Sequence, residues 1–324
     1  MRDRLAVSEN QFRRAAYVAL AALALIVFTG AAVRLTDSGL GCPTWPRCYG
    51  HIYPPLGIHP LIEFSNRMVA GIVGVITGVV FLMSLVRRPF DRELMWLSLL
   101  LPLGVVAQAV LGGFTVLSKL APGFVMAHFL LSMVILIPTF WLAWRATFPR
   151  GARPRSGDRL LVWSVRGLGV LAALTLFAGT AATAAGPHSG GHVGQVIKRL
   201  TIEGPGTLQW AVNLHATAAA LFGVCTILVW LLKRARSGGA LNPLEPLTVL
   251  GILLAAQGLI GAVQYELKLP AEMVWVHVCM ATFTWLVTLW AIATEGRIGE
   301  PQPLADGQAI ATIVAQWSQS VPAS

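Results

Sequence analysis

Eight apolar runs, separated by polar connections, set the rhythm of the chain. They are Ala15–Val33, Met68–Val86, Leu94–Leu117, Ala121–Trp144, Gly167–Ala185, Thr207–Leu232, Leu247–Val263 and Met273–Thr294. Each is near the ~20 residues a helix needs to cross the hydrocarbon core of a bilayer. The pattern predicts an all-α polytopic membrane protein with eight transmembrane helices.

The eight runs are four written twice. Ala107–His128 reads AQAVLGGFTVLSKLAPGFVMAH, and Ala256–His277 reads AQGLIGAVQYELKLPAEMVWVH, an offset of 149 residues. Gly112/Gly261, Lys119/Lys268 and Val125/Val274 keep that register, as do Phe28/Phe177, Gly30/Gly179 and Gly74/Gly223 further up the chain. A fixed offset over matched positions marks a duplicated unit. Four helices per copy, an even number, give both copies the same orientation. The expected architecture is therefore two tandem four-helix bundles related by a pseudo-twofold axis along the membrane normal. The corresponding division is a cytoplasmic segment over 1–14, a first half over 15–145, an Arg-, Pro- and Gly-rich linker over 146–160, a second half over 161–294 and a polar tail over 295–324.

Composition agrees: 56% of residues are hydrophobic and 12% charged, with a mean hydropathy of +0.69. The net charge of +10 invites a nucleic-acid reading, and its distribution removes it. With the N-terminus inside, seventeen of the 24 basic residues fall in inner segments; only Arg34, Arg47, Arg67, Lys119, Lys198, Arg199 and Lys268 lie on the outer side. That is the positive-inside bias, which predicts a multi-pass protein of the cell membrane with both termini cytoplasmic. The first span is too long for the apolar core of a signal peptide, and residues 1–14 carry no cleavage signal, so it reads as a retained helix. Trp96, Trp144, Trp163, Trp210 and Trp275 near helix ends fit an interfacial belt.

Carried through the whole chain, the repeat defines four equivalent positions: Asn66, His128, His215 and His277. All lie near the starts of helices 2, 4, 6 and 8, on the outer side. Matching depths let 66 face 128 and 215 face 277, and a bundle interior is a natural place for a cofactor held between facing helices. Two opposed imidazoles in an apolar slot suit low-spin haem. The halves are unequal, however. The first has Asn66 opposite His128 and a carboxylate, Glu63, one turn before Asn66; the second has both histidines and Val212 in place of that carboxylate. A saturated site suits electron transfer, and an open iron beside an acid suits chemistry. Arg67 follows directly. Ionisable groups at the edge of a membrane helix are functional candidates, although a carboxylate also favours a helix N-terminus and an interfacial Arg commonly snorkels.

The long outer loop from Arg34 to about Leu61 contains CPTWPRC. Outside the cytoplasm two nearby thiols tend to oxidise, so Cys42 and Cys48 are expected to pair; their spacing and the lack of a second Cys pair disfavour a metal site. His188 and His192 sit in GPHSGGH, a flexible frame for ligation, and are expected to be solvated. Cys225 and Cys279, within helices 6 and 8, read as buried small residues.

The CPTWPRC loop, the IEFSNRMVAG start of helix 2 and the histidines of helices 4, 6 and 8 resemble the heme A synthase family over residues 15–294. The resemblance implies an oxidoreductase that converts the C8 methyl of heme O to a formyl group. It further implies heme b on His215 and His277, heme O on His128 beside Asn66 and Arg67, Glu63 as the catalytic carboxylate, and a Cys42–Cys48 disulfide. The implied partners are the farnesyltransferase that makes heme O, the assembling terminal oxidase and an electron donor. Asn66 departs from the family's pattern, in which a fourth His stands there; single ligation by His128 follows, with His51 or His59 as substitutes. Two rivals make different demands. A plain b-type electron carrier needs no Glu63, and a repeat-built transporter binds no haem.

Overall fold

The computed structural model describes residues 6–192, 194–236 and 245–299. Among them are eight helices: α1 Glu9–Leu35, α2 Ile58–Val86, α3 Arg92–Leu117, α4 Pro122–Thr147, α5 Arg159–Ala185, α6 Thr207–Arg236, α7 Pro246–Glu266 and α8 Ala271–Glu295. All eight are long and apolar enough to cross a membrane. The protein is an all-α, multi-pass membrane protein, as lipid requires of a chain whose spans must satisfy their own backbone hydrogen bonds.

The helices outrun the apolar pattern at their polar ends. α2 begins ten residues before Met68, and α5 eight before Gly167. In α2 the added turns carry His59, Glu63 and Arg67, polar side chains that hydropathy reads as loop but tertiary partners accommodate. The odd-numbered helices start with side-chain caps, the usual remedy for unpaired N–H groups in a first turn. Ser8 forms a capping box with Gln11, Asp91 accepts from Glu93 N–H at 2.8 Å, Asp158 from Leu161 N–H at 3.0 Å and Glu245 from Thr248 N–H at 3.3 Å. The Leu161 bond, then the Arg236 guanidinium, hold the Asp158 carboxyl below its ordinary range.

Contacts run in two closed rings. α1–α4 pack each against the next and α1 against α4; α5–α8 do the same, and α1 and α4 join the rings through α8 and α5. α2 and α4 are thus diagonal partners, as are α6 and α8. The core between the helices is built from residues such as Phe12, Leu101, Leu142, Val165, Leu168 and Leu250. Across the seam, Trp275 donates to Phe28 O and Trp285 to Met133 O, each at 3.0 Å. At the end carrying the long loops, Arg34 donates to Thr183 O at 2.8 Å and His188 O at 3.0 Å, and Gly39 N–H donates to Gly190 O at 2.7 Å.

The opposite end is held by charge. Glu93 receives Arg145, Arg150 and Arg153; Lys233 pairs with Glu245 and Glu295, and Arg236 with Asp158. A two-residue strand β1, Arg155–Ser156, lies parallel to β2, Arg297–Ile298, tying the linker to the end of α8. Of the expected polar tail, residues 300–324 lie outside the described residues.

Candidate functional site

The even-numbered helices start at the long-loop end, and each repeat delivers its second helix pair through the same turn. Lys119 and Leu120 adopt φ of +55° and +57°, and Lys268 and Leu269 adopt +65° and +63°. Leu120 N–H donates to Thr115 O at 2.9 Å, and Leu269 N–H to Gln264 O at 2.6 Å. Four non-glycine residues in the left-handed region are uncommon, and these recur at the same repeat offset. The turns place His128 and His277 at equal depth on α4 and α8.

On the second diagonal, the rings of His215 (α6) and His277 (α8) stand 6.1 Å apart between centroids, with planes 76° apart. Two metal–imidazole bonds of about 2 Å each, plus the nitrogen-to-centre distance of each ring, add up to roughly this separation. The residues present therefore fit an iron held between two nitrogens.

Glycines explain how bulky rings enter the slots. A Cβ at Gly179 in α5 would stand 3.0 Å from His215 Cε1; at Gly112 in α3 it would stand 3.1 Å from His128 Cε1, and at Gly261 in α7, 3.4 Å from His277 Cε1. Each imidazole edge lies against bare helix backbone. The fourth repeat-related glycine, Gly30 in α1, has no neighbouring atom within 4 Å of that position, because residue 66 is the shorter Asn. Asn66 Oδ1 instead accepts the Thr29 hydroxyl at 2.8 Å. The first diagonal is the second with one imidazole removed.

Beside that diagonal lies Glu63, 6% exposed. Its Oε1 accepts from Arg67 Nη2 at 2.5 Å, and its Oε2 from Cys42 N–H at 2.7 Å. Arg67 also donates to Cys42 O at 2.9 Å, Thr44 O at 3.0 Å and Pro46 O at 3.3 Å. Rather than snorkelling, this guanidinium anchors the loop closed by the Cys42–Cys48 disulfide. Trp45 in the same loop packs on Gly113, where a Cβ would come within 2.8 Å of the indole, next to the glycine that cradles His128. The loop covers α3 at the level of the first diagonal.

The outer-loop histidines have other employment. His59 Nδ1 pairs with Ser38 Oγ at 3.0 Å, and its ring stacks on His192 at 5.4 Å. His51 is exposed and stacks on Tyr53. The expectation that His188 and His192 are solvated is corrected: both are half-buried, and His188 Nε2 pairs with Leu269 O at 2.7 Å. The Gly-rich loop folds back onto the helix ends, which gives both rings partners. Cys225 and Cys279 are free and half-buried. Thr29 and Trp45 escaped the sequence reading, since neither type signals a site; position 29, one residue before a repeat-matched glycine, was the available clue.

Comparison with known proteins adds the following. The family model described as cytochrome oxidase assembly protein (COX15-CtaA) matches residues 13–188. A heme A synthase of Shewanella oneidensis is 34% identical over 171 residues, covering 47% of this chain and 49% of that protein. Heme A synthases of Bacillus licheniformis and Lysinibacillus sphaericus are 31% identical over 114 residues and 35% over 121, covering 35% and 37% of this chain and 38% and 39% of theirs. The chain spans about half, or less, of the length of these curated relatives.

Proposed function

Given that the chain belongs to the COX15-CtaA family of cytochrome oxidase assembly proteins, whose model matches more than half of it, we propose that it oxidises the C8 methyl of heme O to a formyl group, yielding heme A for a terminal oxidase. The observation that carries this reading is the inequality of two otherwise matched diagonals. One offers two opposed imidazoles 6.1 Å apart. The other offers His128, a short Asn66 with open space at Gly30, and a buried carboxylate close by.

In this reading His215 and His277 of the second diagonal would hold heme b, and the cofactor would supply one-electron transfer there. His128 binds and orients the substrate, heme O, in the first diagonal. Thr29 holds Asn66 by its carbonyl oxygen, which keeps the amide off the opposite face of the substrate. Glu63 supplies a negative charge beside the methyl group as electrons leave it, a preorganised electrostatic contribution that gains strength from burial. Arg67 is a positioning residue that fixes Glu63 and the disulfide loop together. Trp45 seats that loop against Gly113, next to the glycine that cradles His128.

The wider arrangement follows from the same reading. The two rings of helices are four-helix bundles related by a pseudo-twofold axis along the membrane normal, one over 15–145 and the other over 161–294. The long-loop end faces outward and the basic end faces the cytoplasm with both termini, in agreement with the charge bias. The partners are the farnesyltransferase that produces heme O, an electron donor and the oxidase that receives heme A.

The test is extraction and mass analysis of the haems after the purified protein is incubated with heme O, dioxygen as oxidant and oxygen source, and an electron donor. Heme A, or heme O hydroxylated at C8, supports the proposal. Heme b with unaltered heme O overturns the enzymatic reading and leaves an electron carrier; a colourless protein overturns haem binding altogether.

A further inference from the structure

The three imidazoles share a local rule. Each lies against a glycine, and the residue four positions earlier on that glycine's helix is a hydrogen-bond acceptor. For His215 the glycine is Gly179, and His215 Nδ1 pairs with the backbone oxygen of Thr175 at 3.0 Å. For His128 and His277 the glycines are Gly112 and Gly261, and the residues four before are Gln108 and Gln257.

Each glutamine is turned toward its own histidine. Gln108 Nε2 donates to His128 O at 3.0 Å, and Gln257 Nε2 to His277 O at 3.2 Å. What remains is two unsatisfied buried atoms in each repeat: Gln108 Oε1 with His128 Nδ1, and Gln257 Oε1 with His277 Nδ1. Leaving a buried polar atom unpaired costs about 1–3 kcal/mol. The leftover atoms are complementary, an amide acceptor and, in the Nδ1–H tautomer, a donor. Their recurrence in both repeats argues against accident. Pairing the two would satisfy both at once.

We infer that Gln108 and Gln257 are positioning residues whose amide oxygens accept Nδ1–H of His128 and His277, fixing the tautomer in which Nε2 presents its lone pair to iron. The assignment rests on the haem-binding reading above. Metal-bound histidines depend on such a partner for ring orientation and ligand basicity. A stronger acceptor makes the imidazole a better donor to ferric iron and lowers the midpoint potential; loss of the acceptor raises it.

The experiment uses the full-length protein carrying heme b, with Gln257→Met (similar length, no amide) and Gln257→Glu (a stronger acceptor that has lost the donor). The readout is the midpoint potential of the C-terminal haem, with its ferric low-spin EPR signal. Gln257→Met is expected to raise the potential and Gln257→Glu to lower it, by about 59 mV for each tenfold change in the ratio of ferric to ferrous affinity. A glutamine that only clamps α7 to α8 loses its Nε2 bond in both variants, so shifts of the same sign, or none, overturn the inference. If Gln257→Met fails to accumulate, Gln257→Glu alone decides, since a potential equal to or above wild type refutes the role. A wild-type protein without haem refutes the functional reading instead, and the two failures are told apart at the first spectrum.

Discussion

Gly30 and Gly179 occupy the same place in the two repeats, and alanine should affect them in opposite ways. At Gly179 the new methyl would sit 3.0 Å from His215 Cε1 and 3.2 Å from Nδ1, against the ~3.5–4.0 Å at which carbon atoms pack best. The ring must retreat by about 0.5 Å or more on that scale. It retreats from Thr175 O as well, weakening a hydrogen bond that contributes about 1 kcal/mol. Overpacking adds typically ~1–3 kcal/mol, and the helix preference for Ala returns up to about 1 kcal/mol. A net loss of roughly 1–3 kcal/mol is expected, and because the displaced ring is a proposed iron ligand, the loss should appear in cofactor retention, about tenfold for each 1.4 kcal/mol. At Gly30 no atom lies within 4 Å of the added methyl, so only the helix gain of up to about 1 kcal/mol remains. The assay is heme b per polypeptide after a competitive wash with an apo-haem acceptor, with thermal unfolding in detergent alongside. Gly179→Ala retaining heme b as wild type does, or Gly30→Ala shedding it equally, would refute the cradle argument.

Three further outcomes are expected, two at the site and one at the basic end. Asn66→His should seat an imidazole against Gly30 and turn the first-diagonal haem into a low-spin, doubly ligated species; its absorption and EPR spectra report this, and the Gly30→Ala/Asn66→His pair should lose it again. Arg67→Ala leaves Glu63 buried without its counter-charge and three loop carbonyls unpaired, a loss of about 3 kcal/mol, to be read as a lower melting temperature and faster alkylation of Cys42 and Cys48 after mild reduction. Because the Asp158 carboxyl is held below its ordinary range in the folded protein, its contribution is present above the unfolded value of ~3.9 and fades as pH falls through the folded one. The melting-temperature gap between wild type and Asp158→Asn should therefore narrow on acidification, and a gap that widens contradicts the sign.

Much of the fold was legible in the chain because lipid makes local demands. A span must bury a long apolar run and pair its own backbone, so the eight helices show themselves by length alone, and a duplicated unit shows itself by self-comparison. The offset that relates His128 to His277 also relates Asn66 to His215, so the four candidate positions and the difference between the halves were readable before any coordinate. Helix ends were less so: α2 starts at Ile58, among polar residues whose partners, such as Cys42 N–H on Glu63, come from a distant loop.

The sequence by itself thus determined which residues are chemically able to form the site, and the matched glycines were visible without their reason. Only tertiary structure decided that three of those glycines cradle rings while Gly30 stands free, that Arg67 grips the disulfide loop, and that His59 stacks on His192. These depend on distances between side chains of different helices, set by turn geometry and close packing, and a one-dimensional pattern fixes what each residue is without fixing what it meets.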